Sequence, residues 1–301
     1  MGQAADALTD AGFALGWGAV RRLPETAGYR VADRIADATW AMRRPAVGQL
    51  EANLARVVPT AGPAQLRELS RAGLRSYLRY WYQAFALPAW TPAEILDHVV
   101  ADPATAAELD RLRDSGEGAL LALPHMANWD LAGAWLCLSR GGLMTVAEVL
   151  RPQRVFDRFV AYRRSLGMTA LPLGDPTTIR AMTGYLKAGG VVCLLADRDL
   201  GGHGVPVTFF GQAATMPAGP AVLAGLTGAP LYSVDLWYDG PRLHLAVDRL
   251  PVPAATDRQA RVAAMTQDLA DRFAAGISAH PADWHMMQPL WQHDLASRTA
   301  T

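Results

Sequence analysis

The rhythm of hydrophobic positions changes along this chain. Up to about residue 90, apolar residues recur at helical spacing in segments broken at Pro24, Pro45, Pro59 and Pro88, where a proline ends or kinks a helix. From about residue 117, short apolar runs alternate with amphipathic stretches. The pattern predicts strands near Ala119–Leu123, Met144–Val149, Met168–Leu173 and Val191–Leu195, with helices near Trp129–Ser139, Arg154–Leu166 and Thr177–Lys187 between them. Strand–helix alternation of this kind predicts an α/β fold, a mostly parallel central sheet flanked by helices. Val205–Phe209, Pro230–Leu236 and Arg242–Val247 add strands, and Thr256–Ile277 reads as a long closing helix after the breaks at Pro251 and Pro253. With no internal repeat and no low-complexity linker, residues 1–301 read as one domain: a helical extension over 1–90 and an α/β core over 91–301.

The extension has a character of its own. Phe13, Trp17 and Val20 lead into Arg21-Arg22, and Val31, Ile35, Trp40 and Met42 lead into Arg43-Arg44. Apolar helices with aromatic residues and paired cations suit a membrane interface, the arginines meeting anionic lipid, although cations at a helix C-terminus also satisfy the dipole. The run Ala11–Val20 is about half the roughly 20 residues a spanning helix needs, so a peripheral, membrane-associating extension is expected. A secretory signal is not, since an early basic region and a small-residue cleavage site are missing. A third segment, Leu74–Leu87, gathers Tyr77, Tyr80, Trp81, Tyr82 and Phe85 beside Arg75 and Arg79, which favours an interface or an acyl-chain wall over plain core.

Composition narrows the chemistry. Of the 301 residues 51% are hydrophobic and only 19% charged, with nine tryptophans, so exposed apolar surface is expected. Lys and Arg balance Asp and Glu to a formal net charge of zero, which removes any global electrostatic case for nucleic acid. Cys137 and Cys193 stand in apolar segments without metal-ligand spacing. A reduced cytosolic chain without a metal is therefore expected.

Two polar constellations interrupt the apolar pattern. Leu120-Leu-Ala-Leu-Pro-His-Met-Ala-Asn-Trp-Asp-Leu-Ala-Gly133 reads as a strand, a turn holding His125 and a helix start carrying Asp130, an H-x4-D spacing. A neutral imidazole there can take a proton from an alcohol, and a nearby carboxylate can fix its tautomer. Such a pair serves acyl transfer from a thioester, which needs a base but no protein nucleophile. Farther on, Ala196-Asp-Arg-Asp-Leu-Gly-Gly-His-Gly204 follows a buried strand, where open α/β sheets keep their sites. Between the two, Arg163 precedes Gly167 by four residues at a helix end and could face an anionic group.

H-x4-D, then Arg-x3-Gly, then Asp-Arg-Asp with Val207-Thr-Phe-Phe-Gly211 and Thr215-Met-Pro-Ala-Gly-Pro220, in that order, resembles the bacterial lipid A biosynthesis acyltransferase family of the glycerolipid acyltransferase superfamily. The resemblance runs from Arg43-Arg44 to Asp283-Trp-His-Met-Met-Gln-Pro-Leu-Trp291. Within the family, Asp-Arg-Asp-Leu and His-Met-x-Asn-Trp-Asp are most similar to actinobacterial phosphatidylinositol mannoside acyltransferases. The resemblance implies transfer of a long acyl chain, typically palmitoyl, from acyl-CoA to a mannose hydroxyl of a mannosylated phosphatidylinositol at the cytoplasmic face of the cell membrane. Acyl-CoA is then a co-substrate, and neither a cofactor nor a metal is needed. An acyl carrier protein donor, or another glycolipid acceptor, stays open.

Carried over by position, His125 matches the catalytic base, Asp130 its motif carboxylate, Arg163 the second-motif arginine, and Asp197-Arg198-Asp199 the third motif. Arg164 and Glu148 are further residues expected to meet substrate. The family often has Glu in or near the third motif where this chain has Asp, so the partner of His125 stays open among Asp130, Asp197 and Asp199. Asp199 is favoured over Asp197, because residues two apart in an extended strand end point the same way and the later one projects deeper into the crevice. A serine hydrolase is excluded by the lack of a G-x-S-x-G elbow, and dinucleotide binding by a Gly201–Gly204 loop that leads into a strand. A non-catalytic lipid-binding protein would account for the apolar helices but would not require His125, Asp130 and the 197–199 run together.

Overall fold

The computed structural model describes residues 23–149, 153–255 and 257–299. The expected helix with Phe13, Trp17, Val20, Arg21 and Arg22 lies outside the described residues. Three helices come first: α1 (Glu25–Ala41), α2 (Pro45–Val57) and α3 (Pro63–Ala86). Proline opens α2 and α3, the position where its missing N–H costs nothing. Helix α1 lies on α3 through Gly28, Ala32 and Ala36. The fit is close enough that a Cβ on Gly28 would overlap the Tyr82 ring. Trp40 donates from its indole to Ser70 at 2.9 Å, and Asp37 bridges Arg71 and Arg75. On the outer side of α1, Val31, Ile35 and the following Met42 are exposed, beside exposed Arg30, Arg34, Arg43 and Arg44. No described helix is long and apolar enough to cross a membrane.

The core is a seven-stranded sheet. After α4 (Pro92–His98), β1 (Val99–Ala101) and α5 (Pro103–Ser115), the chain alternates through β2 (Ala119–Leu123), α6 (Trp129–Arg140), β3 (Leu143–Ala147), α7 (Gln153–Ser165), β4 (Met168–Pro172), α8 (Thr178–Lys187) and β5 (Val191–Leu195). A hairpin, β6 (Val205–Phe209) and β7 (Gln212–Met216), precedes α9 (Gly219–Thr227), β8 (Leu231–Asp239), β9 (Arg242–Arg249), α10 (Arg258–Ala279) and α11 (Gln292–Thr299). The sheet order is β1-β9-β8-β2-β5-β3-β4, with only β8–β9 antiparallel. All five residues of β2 are buried, as a central parallel strand covered on both faces requires.

Strand β2 sends the chain toward β3 on one side, whereas the chain leaving β5 crosses to β8 on the other. That reversal opens a crevice beyond the carboxyl ends of β2 and β5, where doubly wound sheets hold their ligands. The register between these neighbours pairs Leu123 with Leu195. The residues two beyond each strand, His125 and Asp197, therefore come out side by side.

The aromatic helix α3 lies against the crevice. Tyr80 and Tyr82 of α3 are buried, and Tyr80 packs on Trp129 with ring centroids 4.2 Å apart, so this helix backs the crevice. Glu148 stands one residue beyond the end of β3, which stops at Ala147, and is exposed.

Candidate active site

His125 and Asp197 form the centre of the crevice. The imidazole Nδ1 lies 2.6 Å from Asp197 Oδ1, and the His125 backbone N–H donates to Asp197 Oδ2 at 3.0 Å. A carboxylate can only accept, so Nδ1 carries the proton and Nε2 is left with its lone pair. Trp284 closes the carboxylate from behind, donating from its indole N–H to Oδ2 at 3.0 Å. Burial opposes the charge on Asp197, but the adjoining imidazole and these hydrogen bonds outweigh it and hold the carboxyl below its ordinary range. The turn is shaped locally: Ala127 adopts a left-handed φ of 45°, and Asn128 caps α6 by accepting from the Leu131 N–H at 2.9 Å.

Asp199, favoured above as the partner of His125, points elsewhere. Its carboxylate accepts from the backbone N–H groups of Gly201, Gly202 and Gly204 at 3.0, 3.0 and 2.7 Å. The reason is that β5 ends at Leu195, so the chain is already turning at residue 199 and the two-residue alternation of an extended strand no longer applies. Arg198, between the two aspartates, is half-buried and makes no ion pair among the described residues.

Asp130 does not reach His125 either. It is 1% exposed and accepts from Arg163 Nε at 2.8 Å and from the Tyr80 hydroxyl at 3.1 Å. Trp129, the residue before it, packs its ring steeply against the imidazole with centroids 5.4 Å apart. Burial works against the Arg163 charge, yet Asp130 and Tyr80 reverse that and raise its pKa further; burial first, then the Asp130 charge, push the Tyr80 hydroxyl well up. The H-x4-D spacing thus yields two separate pairs, His125–Asp197 and Arg163–Asp130. Arg164, next along α7, is exposed.

Beneath α6 an apolar cavity runs across the sheet, lined by Leu121 and Leu123 of β2, Cys193 and Leu195 of β5, and Gly133 and Leu136 of α6. Trp129, Asp130 and Arg163 also line it, so its polar end adjoins the ring that packs on His125. The arrangement offers a proton acceptor with a fixed tautomer, joined through the Trp129 ring to an apolar cavity. Among the described residues no cluster of three His, Cys, Asp or Glu could hold a metal, and both cysteines are free thiols.

Sequence reasoning missed Tyr80 and Trp284 as parts of this site. The only signal for Trp284 was its place in the block Asp283–Trp291, and that block gave no hint of which strand end it would meet.

A protein of Mycolicibacterium smegmatis named phosphatidylinositol mannoside acyltransferase is 44% identical over 295 residues, covering 96% of this chain and 93% of the relative. A protein of the same name from Mycobacterium tuberculosis is 44% identical over 293 residues, covering 96% and 90%. The profile of the bacterial lipid A biosynthesis acyltransferases matches residues 6–293. This chain belongs to the bacterial lipid A biosynthesis acyltransferase family.

Proposed function

We propose that this acyltransferase moves a long acyl chain, palmitoyl, from acyl-CoA to a mannose hydroxyl of a mannosylated phosphatidylinositol. The observation that carries the reading is the His125–Asp197 pair, with the Trp129 ring that packs on His125 also lining the apolar cavity. The acceptor class follows the names of the two mycobacterial relatives.

In the proposed reaction the acyl chain lies in the cavity beneath α6 and brings the thioester carbonyl to its polar end. Nε2 of His125 takes the proton of the mannose hydroxyl as the oxygen attacks the carbonyl carbon. The tetrahedral intermediate collapses, the C–S bond breaks, and the departing thiolate receives the proton from the imidazolium. Asp197 remains ionised throughout, holding the tautomer and stabilising the imidazolium, and no covalent acyl-enzyme forms. Arg163 and Asp130 keep α7 and α6 in register around the cavity mouth. Arg198, Arg164 and Glu148 carry polar side chains that are half-buried or exposed, suited to the phosphates and sugar hydroxyls of the two substrates.

The enzyme works at the cytoplasmic face of the cell membrane, attached peripherally. Support comes from α1, whose outward Val31 and Ile35, with Met42 just beyond, stand next to Arg30, Arg34, Arg43 and Arg44, a combination of apolar insertion and cationic attraction suited to anionic lipid.

The decisive experiment incubates the purified chain with palmitoyl-CoA, or with palmitoyl-acyl carrier protein, and vesicles carrying mannosylated phosphatidylinositols, then analyses the extracted lipids by mass spectrometry. A palmitoylated mannoside from the CoA donor is the expected product. Acylation from the carrier protein alone would replace the donor. Lipid binding without any acylated product, in a folded protein, would overturn the reading in favour of a lipid-binding role.

A further inference from the structure

The segment Asp283–Met286 is unused by the reaction as described, yet it grips the His125 turn along its length. The Ala127 N–H donates to the Asp283 carbonyl at 2.9 Å, and the His285 N–H donates to the His125 carbonyl at 2.8 Å. Between these bonds Met126 and Trp284 face each other as an antiparallel bridge. The segment is itself anchored, since Asn53 of α2 donates from its side-chain amide to the carbonyls of Met286 and Gln288. Trp284 is fully buried, with its ring against Phe209, Phe210 and Trp291.

From this clasp we infer that Trp284 is a positioning residue for the transfer, its indole N–H fixing the Asp197 carboxylate so that Oδ1 alone faces the His125 imidazole. The inference rests on the reading of His125 as the general base. Oδ2 already accepts the His125 backbone N–H, and the indole supplies its second donor. Together they hold the carboxylate plane and spread its charge. Without the indole the buried carboxylate loses a partner, leans more strongly on an imidazolium, and draws a proton onto His125 at higher pH. Among the described residues, the titratable groups facing His125 are Asp197 from the end of β5 and His285 from the clasp, while Trp129 of α6 sets its ring at a steep angle to the imidazole. Burial, reinforced by the neighbouring His125, pushes the His285 imidazole down to about 3, so it is neutral across the working range.

A comparison within the segment separates this role from packing. Trp291 is just as buried and also donates from its indole, but to the Phe209 carbonyl at 3.0 Å. The test uses the full chain with Trp284 replaced by Phe and, through an expanded code, by benzothienylalanine, which keeps the bicyclic shape and has sulfur in place of the N–H. Trp291→Phe serves as the control. Two quantities are read: kcat and KM for palmitoyl-CoA against pH, and the titration of the His125 imidazole by NMR of the ¹⁵N-labelled protein, which needs no turnover.

Loss of one charge-assisted hydrogen bond should lower kcat about tenfold with KM within about twofold, and should move the acid limb and the imidazole titration up by roughly half to one pH unit. Trp291→Phe should move neither. If Trp284→Phe does not fold, the benzothienylalanine variant alone decides. An unmoved His125 titration in that variant, or an equal shift in Trp291→Phe, overturns the inference. Absence of transfer by the wild-type protein would instead remove the proposed reaction, with the NMR titration still deciding what the indole does.

Discussion

Two buried carboxylates bracket the start of α6, and their partners give them different capacities. Asp197 meets an imidazole whose side chain is 26% exposed, whereas Asp130 meets a guanidinium that is 14% exposed and fixed as a cation. The first pair can exchange a proton with something in the crevice; the second cannot, because arginine keeps its charge at any pH the fold survives. Similar distances of 2.6 and 2.8 Å therefore conceal a division between chemistry and architecture. The sequence spacing of an acid five residues after a histidine does not reveal that division.

The largest effects should come from the exchangeable pair. His125→Ala removes the proposed base, and a positioned general base is worth about 10²–10⁴ in rate, so kcat should fall by that factor while the thermal midpoint stays close to wild type. Asp197→Asn should cost nearly as much, because an amide can present its N–H to Nδ1 and leave the proton on Nε2. Activity of the wild type should also drop in acid as the imidazole takes up a proton. A loss smaller than tenfold in His125→Ala, or a rate rising steadily toward acid, would erase the contrast between the two pairs.

The fixed pair should answer in stability. Arg163→Leu leaves Asp130 buried against Tyr80 without its cation, and breaking a buried pair from one side typically costs about 3–5 kcal/mol. The double variant Asp130→Leu/Arg163→Leu removes both charges and should recover most of that loss, measured by urea unfolding. If Arg163→Leu unfolds like wild type but loses transfer more than a hundredfold, Arg163 belongs with the chemistry and the division drawn above is wrong.

Part of this was legible in the chain. The alternation from residue 117 onward located β2, β4 and β5 to within a residue, and β2, buried on both faces, is written as a short continuous apolar run. His125 and the 197–199 run were recognisable as polar groups at strand ends. The pairing between them was not, since it depends on the register Leu123↔Leu195, a property of two segments about 70 residues apart that no local spacing encodes. Trp284 and Tyr80 were invisible for the same reason: each reaches the site from another layer of the fold.

Acid provides a smaller test on the structure itself, through His285 behind the exchangeable pair. Its pKa is depressed to about 3, against an ordinary value near 6.5 in the unfolded chain. The unfolded state therefore binds the proton first, and stability present above about pH 6.5 should decline as pH falls toward 3, by about 2 kcal/mol at pH 5. His285→Leu, which cannot take up a proton, should flatten that slope even if the lost contact with Ser76 lowers stability at neutral pH. An unchanged slope would assign the acid sensitivity to other groups.

The smallest effect is expected at Asp199, the aspartate that a strand-end argument favours and the loop claims. Its three backbone acceptor bonds resemble a helix cap more than a catalytic contact. Replacing such a residue by alanine costs typically about 1 kcal/mol. Asp199→Ala should accordingly lower the thermal midpoint by a few degrees and reduce transfer a few-fold through a looser Gly201–Gly204 turn, with the pH profile unmoved because the carboxylate touches neither nitrogen of His125. Asp199→Asn keeps one acceptor oxygen and should recover part of the loss. A hundredfold fall in kcat in Asp199→Asn, with the midpoint unchanged, would instead mean that the loop rearranges on substrate binding and delivers Asp199 to the crevice, so that the pairing with Asp197 describes only the unliganded enzyme.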